Sequence, residues 1–146
     1  MAITEIAPTQ AYETMRNNPE AVYIDVRTEG EFAQGHPAGA INIPVVFLRP
    51  GSPPQLNPDF LMVAEKNLPR DKKLIVGCMM GGRSQRACEI LEEAGYKDIA
   101  NVRGGFGGAR DASGRVIAPG WLEEQLPVSN EQGQFSYQSL KTKAGL

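Results

Sequence analysis

At 146 residues the chain is long enough for one α/β domain that buries roughly two-thirds of its unfolded surface without help from disulfides or metals. Its 15 basic and 17 acidic residues are well mixed and sum to -2, which excludes the electrostatic footprint of a nucleic-acid binder or of a protein drawn to an acidic membrane. Two cysteines and one histidine, with no pair at ligand spacing, cannot fill a zinc site without carboxylates, so neither a metal nor another cofactor is expected. No stretch is apolar enough to span a bilayer, and Met1-Ala2-Ile3-Thr4-Glu5 lacks the basic start and apolar core of a secretory signal, which points to the cytoplasm, with an organelle reached by an already removed presequence as the alternative.

In chain order, Thr9 is placed to cap a first helix to about Asn17, and Val22 to Val26 reads as a short buried strand. Thr28-Glu29-Gly30-Glu31 fits a capping box for a helix through Gln34, which breaks at Gly35-His36-Pro37. Ala40 to Ile43 reads as the next strand, Pro50 to Pro58 as a proline-rich loop, and Pro58 as the first residue of a helix to about Asn67. Lys73 to Gly77 is the central strand. Ala87, Ile90, Leu91 and Ala94 then mark one face of a helix that Gly95 stops, and Ile99 to Val102 is a further strand. From Arg103 to Gly120 there are glycines without periodicity, and Gly104, Gly105, Gly107 and Gly108 read as turn markers. Trp121-Leu122 starts a short closing helix. The expected organisation is one unit over 1–129 with a loosely docked polar tail over 130–146.

Strands alternating with helices at this spacing imply a mostly parallel central sheet flanked by helices on both faces, with ligands at the carboxyl ends of the strands. Cys78 stands at such an end and opens Cys78-Met79-Met80-Gly81-Gly82-Arg83-Ser84, which leads into a helix. Free amides of the loop and the first helical turn, with the helix dipole, favour a thiolate there. Gly81 and Gly82 give the backbone freedom for amides to converge, Arg83 adds a fixed cation and Ser84 can cap the helix. Asp25-Val26-Arg27 ends a second strand at the same edge.

Three separated motifs carry a resemblance to the single-domain rhodaneses, a sulfurtransferase family. They are Asp25-Val26-Arg27 with Glu31-Phe32 and Gly35-His36-Pro37-Ala38-Gly39-Ala40-Ile41-Asn42-Ile43-Pro44; Cys78-x-x-Gly81-x-Arg83-Ser84; and Val102-Arg103-Gly104-Gly105 with Trp121 downstream. The resemblance implies a rhodanese-like five-stranded sheet and a Cys78 nucleophile that takes a sulfane sulfur from a small donor such as thiosulfate. It then implies transfer to cyanide, a thiol or a protein acceptor. Met79, Met80, Gly81, Gly82, Arg83 and Ser84 would line the substrate site, with Asp25 and Arg27 as a supporting ion pair behind it. Where thiosulfate-using members often carry basic loop residues, this chain has Met79 and Met80.

Arg83 suits either a donor oxyanion or the loop's own carbonyls. His36, between Gly35 and Pro37, reads as a turn residue, and Cys88 as a small packed hydrophobe with a resolving role as the alternative. Phe106 to Gly120 is longer than a compact relative needs and fits a mobile rim without assigned role. The rival functions are a persulfide carrier or binding module, and a cysteine phosphatase or arsenate reductase. Against the latter, Cys78 to Arg83 is one residue shorter than a phosphatase loop.

Overall fold

The computed structural model describes residues 3–80 and 82–146. Five strands, β1 (Ile3–Ile6), β2 (Val22–Asp25), β3 (Ile41–Asn42), β4 (Leu74–Gly77) and β5 (Ile99–Val102), form one sheet in the order β1-β5-β4-β2-β3. Every pairing is parallel. The helices are α1 (Pro8–Asn17), α2 (Glu29–Gln34), α3 (Phe60–Asn67), α4 (Gly82–Glu93) and α5 (Tyr137–Lys143).

The period-two alternation of β4 divides the core. Leu74, Val76 and Cys78 join Ile24, Phe60, Leu91 and Tyr137 on the face covered by α3, α4 and α5. Ile75 joins Tyr23, Ala11, Phe32 and Trp121 on the face covered by α1, α2 and the 106–121 segment. All four residues of β4 are buried, as a strand covered on both faces requires. Register then aligns Asp25 at the end of β2 with Gly77 at the end of β4, so the Asp25-Val26-Arg27 segment and Cys78 emerge side by side.

Several elements depart from the sequence reading. Ile3-Thr4-Glu5-Ile6 carries too short an alternation to declare itself, yet pairs with β5 along its full length as an edge strand. Pro58 does not open α3: the Asn57 side-chain oxygen accepts from Asp59 N (3.0 Å), and this local turn delays the helix to Phe60. Ser84 lies inside α4 and is buried, so it is not the cap. Trp121–Gln125 forms turns instead of a helix, with Gln125 at φ 56 and the buried Trp121 donating from Nε1 to Pro127 O (2.8 Å).

The polar C-terminal segment is also more than a tail. Ser136 caps α5 by accepting from Ser139 N (3.2 Å), and Tyr137 and Leu140 pack into the α3/α4 core. Asn57 ties this end down by donating to Tyr137 Oη (2.8 Å). Among the described residues no helix is long and apolar enough to cross a membrane.

Candidate functional site

Cys78 follows β4 directly and is only 2% exposed, with its Sγ 3.5 Å from Ser84 Oγ in the first turns of α4. The strand can deliver it there because position 77 is glycine: a Cβ at Gly77 would run into the Tyr23 hydroxyl. Burial, with Asp25 and Cys78 nearby, raises the Tyr23 phenol well above its ordinary range despite the opposing effect of Arg27, so Tyr23 stays neutral.

A second contact comes from the glycine segment. Phe106 N donates to Cys78 O (2.7 Å) and Gly107 N donates to Met79 O (2.9 Å). Gly105, at φ 56, passes so close that a Cβ would strike Cys78 O and come within 2.9 Å of the Met79 carbonyl carbon. The 104–108 glycines therefore do more than mark turns; they bring one backbone flat against another. The segment expected to be a mobile rim is folded into an Ala109–Arg110/Val116–Ala118 hairpin.

Arg83 pairs with a carboxylate that the sequence reading did not anticipate. Its Nη1 donates to Glu31 Oε1 (2.7 Å) and Nη2 to Glu31 Oε2 (3.1 Å). Glu31 is the capping-box residue of α2, and its Oε1 also accepts from Thr28 N (3.1 Å), so one carboxylate joins the starts of α2 and α4. Partial burial opposes its ionisation, but the bonds from Arg83 and Thr28 outweigh that and lower the carboxyl from 4.5 to about 2. Burial likewise opposes the Arg83 charge, and Glu31 reverses the balance, so the guanidinium pKa is raised. The capping box was legible, whereas the ion pair joins positions 52 apart and left no local signal.

Asp25 and Arg27 form the internal pair expected, buried to 1% and 2%. Arg27 Nη2 donates to Asp25 Oδ2 (2.7 Å) and to Gly35 O (2.7 Å), and the guanidinium lies 4.4 Å from the centre of the Phe106 ring. Asn42 Nδ2 donates to both Asp25 O and Arg27 O (2.9 Å each). A cavity of about 290 Å³ opens beside this framework, walled by Arg27, Glu31, Met79, Phe106, Leu122 and Val128. Met79 is thus part of a cavity wall, whereas Met80 is 61% exposed and Gly82 is exposed at the start of α4. Gly81 lies outside the described residues.

His36 is buried, stacked 3.5 Å from the centre of the Phe32 ring with Nδ1 2.7 Å from Phe32 O, and is not in the cavity wall. Cys88 packs in the α4 core, where burial first, and then Glu5 and Cys78, push its thiol up to about 12. The arrangement offers a small buried thiol beside a hydroxyl and a helix start, with the adjoining Met79 in the wall of a cavity, suited to covalent chemistry on a compact atom.

The family model of the rhodanese-like domain matches residues 7–112. The mitochondrial protein HIGH ARSENIC CONTENT 1 of Arabidopsis thaliana is 43% identical over 90 residues, 62% of this chain and 53% of its own, so the match spans about half of that relative. The thiosulfate sulfurtransferase GlpE of Haemophilus influenzae is 30% identical over 128 residues, 88% of this chain and 96% of its own. Among solved structures, Rv0390 from M. tuberculosis superposes with a TM-score of 0.72 at 33% identity, covering 88% of this chain and 98% of that one.

Proposed function

As the chain belongs to the rhodanese-like family, we propose that it is a sulfurtransferase working through a persulfide on Cys78. The observation that supports this most directly is the place of Cys78: at the carboxyl end of the central strand, against Ser84 Oγ and the start of α4. The thiolate attacks the outer sulfur of the donor, whose bond to that sulfur breaks with the electron pair leaving on the donor. With thiosulfate, Cys–S⁻ and S₂O₃²⁻ become Cys–S–S⁻ and SO₃²⁻. Cyanide or a thiolate then attacks the terminal sulfur, carrying it off as thiocyanate or a new persulfide and restoring Cys–S⁻.

The surrounding residues hold charge in place and move no proton during transfer. Ser84 Oγ is positioned to donate its hydroxyl proton as a hydrogen bond to the thiolate, and the amides at the start of α4 add partial positive charge. The outer sulfur of the persulfide sits only about 2 Å further out, so the same donors serve both states. Arg83 acts by position, pinning the start of α4 to α2 through Glu31. That engagement argues against phosphatase chemistry, which calls for a guanidinium facing the substrate oxygens. A reducing compartment suits a thiol that must return to the free state in each cycle.

The test is intact mass after incubation with thiosulfate or 3-mercaptopyruvate, for the wild type and Cys78→Ser, followed by cyanide and a thiocyanate assay. A reducible gain of one sulfur in the wild type alone, discharged by cyanide, is expected. Equal gain in Cys78→Ser, or none in folded wild type with any sulfane donor, would overturn the proposal.

A further inference from the structure

The charges around the cysteine loop cancel in pairs. Arg27 is held by Asp25 at 2.7 Å and Arg83 by Glu31 at 2.7 Å, while on the nearby hairpin Arg110 is held by Glu123 at 3.2 Å. Arg103, exposed just past β5, is not in the cavity wall. Among the described residues the cavity beside Met79 therefore presents no uncompensated cation: Arg27 in its wall is neutralised by Asp25, Gln34 and the Glu31 carboxylate form a polar side, and the rest is the Met79 thioether, the Phe106 ring and the aliphatic ends of Leu122 and Val128. A small dianion entering there gives up hydration with no net positive charge in the wall to offset the loss. An apolar substituent carried by the donor instead gains by leaving water.

Resting on the Cys78 persulfide reading above, we infer that this cavity selects singly charged sulfane-sulfur donors bearing an apolar organic group over inorganic thiosulfate. The organic group occupies the wall of Met79, Phe106, Leu122 and Val128 while the sulfane sulfur reaches Cys78. For an organic thiosulfonate the step balances as Cys–S⁻ and R–SO₂–S⁻ giving Cys–S–S⁻ and R–SO₂⁻. The sulfur–sulfur bond of the donor breaks, its electron pair leaves on the sulfinate, and no outside oxidant or reductant takes part. Leu122, 49% exposed at the rim, is the residue through which this preference is most easily altered without disturbing the core.

The experiment compares kcat/KM for benzenethiosulfonate, methanethiosulfonate and thiosulfate, with cyanide as acceptor, in the wild type, Leu122→Lys and Leu122→Asn. Intact mass follows loading of Cys78 in parallel. The two thiosulfonates share a sulfinate leaving group, and ratios between variants cancel the intrinsic reactivity of each donor. The wild type should favour the benzene over the methane compound by about tenfold, the order expected for burying much of a phenyl ring. Leu122→Lys should raise thiosulfate turnover roughly threefold to tenfold relative to the benzene compound, because it places an unpaired cation at the rim. Leu122→Asn should erode the benzene preference without improving thiosulfate. Loading of Cys78 by all three donors with no preference, or donor ratios unchanged in both variants, overturns the selectivity and leaves the sulfurtransferase reading standing. Failure of every donor to load Cys78 overturns both.

Discussion

Replacing Glu31 with Gln separates two tasks performed by one carboxylate. Glu31 Oε1 accepts from Thr28 N at 3.1 Å and from Arg83 Nη1 at 2.7 Å, and Oε2 accepts from Arg83 Nη2 at 3.1 Å. A glutamine retains a carbonyl oxygen for the capping box but offers Arg83 no charge. The fall in the carboxyl pKa from 4.5 to about 2 corresponds to about 3 kcal/mol at about 1.36 kcal/mol per unit. Part of that belongs to the Thr28 bonds, which survive, and the side chains of Arg83 and Glu31 are 20% and 26% exposed, so solvent screening trims the remainder. Glu31→Gln should therefore cost about 1–2 kcal/mol at neutral pH, read as a lower urea midpoint with an unchanged slope. Because the folded pKa is the lower one, the carboxylate's contribution is complete above 4.5 and fades as pH falls toward about 2. The gap between wild type and variant must close over that same window. Equal midpoints at pH 7, or a gap that persists undiminished to pH 2, would refute the ion-pair account.

Gly105→Ala forces a Cβ onto Cys78 O at φ 56; left-handed strain and overpacking together should remove about 2–4 kcal/mol, measured by urea unfolding. A loss under about 0.5 kcal/mol would mean that the glycine segment yields easily. Cys88, with its thiol pushed up to about 12, should stay unmodified by iodoacetamide at pH 8 in the native protein and react once urea exposes it, as peptide mass mapping will show. Leu140→Ala should cost about 2–4 kcal/mol if α5 is a full member of the core, and less than about 1 kcal/mol if that helix is only loosely seated.

What the sequence made legible was whatever is encoded locally. The apolar run Leu74 to Gly77, the alternation of strands and helices, and the Thr28/Glu31 box each depend on residues within a few positions of one another, and each is present as read. Cys78 could be placed at a strand end for the same reason. Illegible features depend on partners far along the chain. Arg83 offered two plausible uses, and only the crossing of α2 and α4 brings Glu31 within 2.7 Å of it. Gly105 looked like a turn glycine because its reason for being glycine is the carbonyl of Cys78, reached only after β5 lies beside β4. The 130–146 segment read as polar because its two buried side chains, Tyr137 and Leu140, are spaced too sparsely to outweigh their neighbours.

The glycine segment also bears on how the cysteine loop is aimed. In a trans peptide the carbonyl and the amide of one unit point in opposite directions. Cys78 O and Met79 O are both turned to the 106–107 amides, so the N–H groups of Met79 and Met80, which share those peptide units, are turned away from the glycine segment. Two amides of the loop are thereby oriented by bonds made to the other end of the same planes, before any substrate arrives. Such fixed dipoles cost no reorganisation when charge moves between sulfurs, which is why a rigid backing can matter to a site it does not line. The close approach that permits this is available only to glycine at position 105, and it couples the shape of the thiol's surroundings to a segment 27 residues further on, 78 to 105. On the proposed persulfide mechanism, a side chain at 105 that leaves the fold intact should then slow sulfur loading on Cys78 by more than its effect on stability accounts for, because it turns the amides without unseating the core.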